Sequence, residues 1–385
     1  MTQDAKGDIN RRRLRAGIVG GGEGAFIGSV HRIAAELDGQ ALVVAGALSS
    51  NPDKAKRSAA AWRLERSYDS FATMAQEEAK RPDGIDFVIV AVPNHLHHAV
   101  SSAFLDAGLH VVCDKPMTFN LEEAEKLVAQ VEKTKKVFAL THNYTGYPAV
   151  RQARAMIEQG LLGEVRKVLV EYNQDWLMEP LERTGQKQAE WRTDPARSGL
   201  SSCVGDIGTH AENLLEFVTG ERIHSLCADF STFVAGRRLE DDANILLRLE
   251  NGGKGTLVCS QVACGEENNL RIRVYGSKAG LEWHQQEPNT LVFKPQGKPW
   301  ELLRTGLGYM GDEAKAATRV PPGHPEGYLE AFANIYRFAI ADMRRAARGE
   351  ALQGGYPGVR DGLRGMRFLT RAVESARKGA AWVEV

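Results

Sequence analysis

The chain has 385 residues, 43% of them apolar, and carries 49 basic against 49 acidic side chains. That length exceeds one typical core and predicts two domains, while zero formal charge argues against a partner held by bulk electrostatics, whether nucleic acid or a membrane surface. Apolar runs such as 87–93 are too short to span a bilayer, and five scattered cysteines with no C-x-x-C signal neither a disulfide framework nor a zinc site.

Residues 1–13 read as a disordered basic tail. Arg11-Arg12-Arg13 before an apolar stretch resembles a twin-arginine export signal, but that stretch holds six glycines and Glu23 and lacks an A-x-A-like cleavage site. A reduced, cytoplasmic protein is expected. The stretch itself, Leu14 to Gly28, reads as strand, glycine turn and helix, the helix starting near Ile27 and running through Val30, Ile33, Ala34 and Leu37. Such a turn lets the backbone approach a pyrophosphate, and the helix start offers free N–H groups. Against the usual G-x-G-x-x-G spacing, Gly20-Gly21-Gly22 are followed by Glu23, Gly24 and Ala25, and the next glycine is Gly28. The loop is therefore a few residues longer than standard. Gly20, Gly22, Phe26 and Ile27 are the cofactor-binding candidates here.

Ala41–Leu48 reads as a strand buried on both faces, with Asn51 placed to cap and Pro52 to start a helix to Trp62. An acidic residue at this strand end would take the ribose hydroxyls of NAD. Here Ser49 stands there with Lys54 and Arg57 close behind, so NAD and NADP both remain open. Helices are predicted over Ser70–Ala79, His95–Ala107 and Leu121–Lys133, and strands over Ile85–Val92, Leu109–Cys113 and Val137–Thr141. This alternation predicts a doubly wound parallel sheet in a dinucleotide-binding domain, residues 1–145. Ligands of such sheets sit beyond the strands' carboxyl ends. Ser49, Pro93, Asn94, Asp114, Lys115, His142 and Asn143 fall at that edge.

From 146 to 385 the pattern changes to an α+β domain. Pro148–Gln159 reads as a helix and Val165–Tyr172 as a strand. The polar stretch 176–198, with Trp191-Arg192, shows no obvious structure, and Asp206–Val218 is helical. Ile223 to about Phe293 gives successive strands with a hairpin turn at Asn251-Gly252-Gly253, so a large, mainly antiparallel open sheet is expected. Pro325–Arg345 and Val359–Arg377 are predicted helices that pack back on the first domain. An open apolar sheet face wants cover, which points to a homodimer or homotetramer.

Three stretches resemble the Gfo/Idh/MocA oxidoreductases, the family of glucose–fructose oxidoreductase and inositol dehydrogenase. Ala107-Gly108-Leu109-His110-Val111-Val112-Cys113-Asp114-Lys115-Pro116 is similar to the family's A-G-x-H-V-x-x-E-K-P, with Asp114 in place of glutamate. Pro93-Asn94-His95-Leu96-His97 resembles P-N-x-x-H, and Gly205-Asp206-Ile207-Gly208-Thr209-His210 resembles G-D-I-G-x-H. The resemblance covers roughly the first 220 residues in the right order. It implies an NAD(P)-dependent oxidoreductase acting on a secondary hydroxyl of a sugar, glycoside or cyclitol. It also implies cofactor contacts that extend to His97, Asp114, Lys115, Asn143, Trp191 and Arg192, and oligomer contact through the C-terminal sheet.

Hydride transfer from an alcohol needs a base for the hydroxyl proton and a charge for the alkoxide. Asp206 and His210, at i and i+4, share a helix face. His210 is the preferred base, Asp206 orients the hydroxyl or the imidazole, and Lys115 stabilises the alkoxide or, with its pKa lowered by burial, is itself the base. Taken alone, Asp206 would more simply be an N-cap and Lys115 a loop lysine; the motif match favours the triad. Tyr144, Asp175, Trp176, Arg192 and His324 join the triad as substrate-pocket candidates, although Trp176 and Trp191 would also suit a core. His142 and His324 each line a pocket or sit in a wall. His95, His97 and His98 lack a companion carboxylate or cysteine cluster, so no metal is expected. Two other readings use the same fold: a redox-neutral glycoside hydrolase working by transient sugar oxidation and elimination, and a non-catalytic dinucleotide-bound regulator. Retention of Lys115, Asp206 and His210, with no DNA-binding element, argues against the regulator.

Overall fold

The structure, a computed structural model, describes residues 9–385. Of the tail expected over 1–13, residues 1–8 lie outside the described residues. The rest is anchored, correcting that expectation: the Arg12 guanidinium makes two 2.7 Å hydrogen bonds to the Asp86 carboxylate. Two compact units result. One runs to Asn143 and takes up Phe332–Leu363, and the other comprises Tyr144–Ala331 with Arg364–Val385.

The first unit is built on six parallel strands: β1 (Leu14–Gly20), β2 (Ala41–Ala47), β3 (Arg66–Ser67), β4 (Phe87–Ala91), β5 (His110–Cys113) and β6 (Phe138–Leu140). Their order is β3-β2-β1-β4-β5-β6, so the chain reverses direction across the sheet between β1 and β4. That reversal is where a crevice opens at the strands' carboxyl ends. The strands alternate with helices α1 (Phe26–Glu36), α2 (Pro52–Ala61), α3 (Phe71–Lys80), α4 (His97–Asp106) and α5 (Leu121–Thr134). Helix starts follow the sequence chemistry: the side chains of Asn51, Ser70 and Asn120 accept the N–H groups of Lys54, Thr73 and Glu123. Every β4 residue is buried, as a strand covered on both faces requires.

The second unit opens with α6 (Pro148–Glu158) and β7 (Val165–Asn173). The stretch expected to lack structure instead folds as a 3-10 turn and two short helices, α7 (Lys187–Arg192) and α8 (Pro195–Ser198). Gln186 and Asp194 cap them through the amides of Ala189 and Ala196. These caps are local, but no apolar periodicity announces so short a helix. A wide π-helical turn, Val204–Gly208, then runs into α9 (Thr209–Thr219). Strands β8 (Ile223–Ser231), β9 (Asp242–Leu249), β10 (Lys254–Ser260), β11 (Asn269–Gly276), β12 (Ala279–His284), β13 (Thr290–Pro295) and β14 (Glu301–Arg304) follow, then α10 (Asp312–Ala316), α11 (Tyr328–Ala347), α12 (Val359–Arg377) and β15 (Val383–Glu384). The nine-stranded sheet has the order β14-β13-β12-β11-β7-β10-β9-β8-β15 and is antiparallel except for the β7–β10 pair. Helices α6 and α9 cover one of its faces. Alternation along β9 shows why: Ala243, Ile245, Leu247 and Leu249 are buried, while Asn244, Leu246 and Arg248 are exposed. From Phe332 onward α11 belongs to the first unit; α12 divides at Arg364, its longer part in the second, whereas the sequence reading counts both helices in the 146–385 domain.

Candidate active site

In the first unit the turn after β1 is shaped by backbone demands that only glycine meets. Gly20 and Gly21 have φ of +80° and +71°. A Cβ on Gly28 would lie 2.2 Å from the Gly21 carbonyl oxygen, so Gly28 is the glycine that lets α1 close on the turn. Phe26 and Ile27 form the first turn of α1, where no side chain caps Ala25 and no acidic residue intervenes. Uncapped N–H groups at a helix start suit a pyrophosphate. Asn143 adds a buried amide Nδ2 with no hydrogen-bond partner among the described residues. These groups fit a dinucleotide. At the end of β2 the Ser49 hydroxyl turns back to accept the Asn51 amide at 3.1 Å, and Lys54 lies in the first turn of α2.

The turn after β5 presents Lys115. Asp114 donates its amide to Val90 O, and its carboxylate accepts the Lys115 amide at 2.8 Å and the Thr141 hydroxyl at 3.1 Å. His97, expected at the cofactor, is engaged elsewhere: Nδ1 lies 2.6 Å from Pro116 O and Nε2 2.8 Å from Val92 O. It ties the end of β4, beside Pro93 and Asn94, to the Lys115 turn. Both its nitrogens face the backbone, so within the protein it braces two carbonyls. His142 is a wall residue, and burial together with the charge of Lys115 pushes its pKa down to about 3, leaving it neutral.

In the second unit Asp206 sits in the π turn, one turn before His210. It is inside the helix rather than capping it: its Oδ2 accepts Arg192 Nε at 3.0 Å and Gln261 Nε2 at 2.9 Å. Arg192, expected at the cofactor, thus partners the candidate catalytic carboxylate. Its guanidinium also reaches Gln188 Oε1 at 2.6 Å and lies over the Trp191 ring at 4.3 Å and the Trp176 ring at 5.8 Å. The His210 ring meets Tyr144 edge-on, centroids 4.9 Å apart. Tyr144 and Tyr172 share a short hydroxyl contact, Tyr172 donates to Asn268 Oδ1 at 2.8 Å, and Gln174 bridges Asn268 and the Trp176 indole N–H. Burial raises the Tyr144 phenol above its ordinary value, so it is a hydrogen-bonding group and not a base at neutral pH.

Two pocket candidates fall away from this cluster. Asp175 accepts the Gly265 amide at 3.2 Å and holds a loop. His324 is exposed, bonded at Nδ1 to Pro321 O, on the rim of a cleft of about 200 Å³ that Asn289, Arg304 and Thr305 help to line. The sequence reading missed Gln261, Tyr172, Gln174 and Asn268. Gln261 stands 55 residues from Asp206, and nothing in local spacing joins them.

A parallel sheet in this strand order, with a glycine cradle after its first strand, defines a dinucleotide-binding protein of the Rossmann type. Residues 14–142 match the oxidoreductase family with an NAD-binding Rossmann fold, and residues 150–282 match the GFO/IDH/MocA C-terminal domain. The chain belongs to the Gfo/Idh/MocA family of oxidoreductases. It is 37% identical over 98% of both chains to the oxidoreductase YfiI of Bacillus subtilis. It is similar to an inositol dehydrogenase homologue of Azotobacter vinelandii in complex with NADH and myo-inositol, at 39% identity and a TM-score of 0.91, covering 97% of this chain and 98% of that one. A levoglucosan dehydrogenase in complex with NADH and levoglucosan shares 25% identity and a TM-score of 0.84, over 97% and 100% of the two chains. The first unit is an NAD-binding domain. Among the described residues, no helix is long and apolar enough to cross a membrane.

Proposed function

We propose that this protein is an NAD-dependent dehydrogenase of a secondary hydroxyl on a cyclitol or sugar. The observation that supports this most directly is the Asp206 carboxylate, fixed by Arg192 and Gln261 one helical turn from His210. A fixed carboxylate orients a substrate hydroxyl, and a neutral imidazole one turn away takes its proton. Lys115, held at the β5 turn by Asp114, supplies positive charge to the alkoxide as the proton leaves. NAD⁺, held by the Gly20–Gly22 turn and the start of α1, would supply the hydride acceptor, so that an alcohol and NAD⁺ would give a ketone, NADH and the proton taken by His210. The phenol and amide groups of Tyr144, Tyr172, Gln174 and Asn268 suit a substrate rich in hydroxyls. The inositol- and levoglucosan-bound relatives favour that substrate class. The test is a panel of inositols, monosaccharides and glycosides with NAD⁺ and with NADP⁺, followed by nicotinamide absorbance. Reduction with a polyol is expected. Glycoside cleavage without accumulated NADH would replace this reading with the redox-neutral hydrolase.

The same reading includes a cytoplasmic location, in keeping with five free thiols, and a homo-oligomer through the outer sheet face. On that face Leu246 is 50% and Leu302 66% exposed. Leaving the exposed part of each in water forgoes roughly 1 kcal/mol, and a second copy of the chain would recover it. Sedimentation at micromolar concentration should show a dimer or tetramer; a monomer would refute it.

A further inference from the structure

The helix that bears Asp206 and His210 is capped by a residue far away in sequence. An α-helix leaves its leading N–H groups without internal partners, and here each of the four is accounted for. Glu240, in the loop before β9, accepts the Ser202 amide at 3.1 Å and the Val204 amide at 3.0 Å on one carboxylate oxygen, which also receives the Ser201 hydroxyl. The Glu240 carbonyl accepts the Cys203 amide at 3.3 Å, and Ser201 Oγ accepts the Gly205 amide at 2.9 Å. The first bond within the helix is then Asp206 N to Ser202 O, at 2.8 Å. Asp206 is therefore the first residue whose amide is held by the helix itself, directly after the capped group. Because the π turn is wider than an α turn, the angular offset between Asp206 and His210 depends on where this end is pinned.

We propose that Glu240 is the positioning residue of the catalytic helix: its carboxylate pins the helix start and so fixes Asp206 and His210 relative to each other. This rests on the dehydrogenase reading above for its effect on turnover, but not for its effect on the helix. The carboxylate has no cation among its described partners. Around it are the buried Cys203 thiol and the neighbouring Asp241, which is itself engaged by Arg237 and the amides of Phe233 and Val234. Burial pushes the Glu240 carboxyl up to about 7, against the pull of the Ser201 hydroxyl and the Val204 and Ser202 amides. Below that pH the group is neutral and a weaker acceptor. Above it, a full negative charge sits at the positive end of the helix dipole.

The experiment combines turnover of myo-inositol with NAD⁺ between about pH 6 and 9 with amide exchange of the peptide 201–210, in wild type, Glu240→Gln and Glu240→Ala. In Glu240→Ala, exchange of the Ser202 and Val204 amides should quicken and kcat should fall by about tenfold or more, with KM for NAD⁺ unchanged. Glu240→Gln keeps the shape and should flatten the wild-type rise in kcat across neutral pH to the part that the base His210 contributes, whereas a merely structural role would leave the whole rise in place. Should Glu240→Ala not fold, the glutamine variant decides through its pH profile and exchange. Unchanged exchange in both variants overturns the proposal, as does faster exchange with wild-type kcat and pH profile. Absence of myo-inositol turnover in the wild type would remove that polyol from the dehydrogenase reading alone, leaving the exchange result to decide the cap.

Discussion

In the first unit, the groups arranged for a ligand are mostly main chain: the Gly20–Gly22 turn, the uncapped start of α1 and the strand ends that present Asn94 and Lys115. In the second unit they are side chains gathered from separate elements, Arg192 from α7, Asp206 and His210 from one helix, Gln261 from just after β10, Tyr172 from β7 and Asn268 from just before β11. The difference follows from the ligands each would hold. A pyrophosphate is the same in every dinucleotide and is met by backbone N–H groups in one geometry. A polyol differs in the placement of its hydroxyls, and side chains can be exchanged to match it without altering the backbone. A change at a backbone-built site should therefore act on cofactor affinity, and one at a side-chain-built site on turnover.

The largest expected effect is on the reacting groups. Lys115→Ala and His210→Ala should each lower kcat by roughly 10²- to 10⁴-fold with folding intact by circular dichroism. Near wild-type turnover in either would remove that residue from the mechanism. Next, Gly28→Val places atoms against the Gly21 carbonyl, where even a Cβ would stand at 2.2 Å. NAD⁺ binding by calorimetry should weaken by about a hundredfold, as befits a lost close approach. Arg192→Ala sharpens the contrast. It should lower kcat by about tenfold by releasing Asp206, leaving KM for NAD⁺ alone. The reverse pattern would return Arg192 to the cofactor, where the sequence reading placed it.

The effect that leaves turnover at neutral pH untouched is on stability, and it has opposite signs in the two units. Burial holds His31 and His110 at about 4 and His142 at about 3, all three in the first unit. Below the ordinary histidine value the unfolded chain binds protons that the folded unit does not, so stability falls as pH drops from 6.5 toward those values. At about pH 5 this amounts to on the order of 2 kcal/mol per histidine. Glu240 in the second unit runs the other way: its folded value lies above its ordinary one, so acidification from about 7 to 4.5 adds stability. Urea midpoints should fall between about pH 7 and 5, with amide exchange quickening first in β5, β6 and α1. Uniform quickening in both units would contradict the assignment.

Much of the first unit was legible in the chain because its determinants are local. A fully buried parallel strand must be continuously apolar, a helix start calls for Asn51, Ser70 or Asn120, and a turn with positive φ calls for glycine. The same logic reached Asp206 and His210, four residues apart on one helix. It did not reach the partners that His97 and Arg192 have within the protein, since residue type says that a nitrogen needs a partner but not which one. The short helices between 176 and 198 were also hidden, being too brief to show a period.

By itself, then, the sequence determined the alternation of elements, the glycine turn, the Lys115 strand end and the spacing of Asp206 and His210, because each depends on neighbours within a turn or a strand. Only the tertiary structure decided that Arg192 and Gln261 hold Asp206, that His97 braces backbone carbonyls, and that Glu240 caps the helix from 36 to 39 residues away. A buried polar group must find a partner, but which partner depends on where distant segments meet when the core closes.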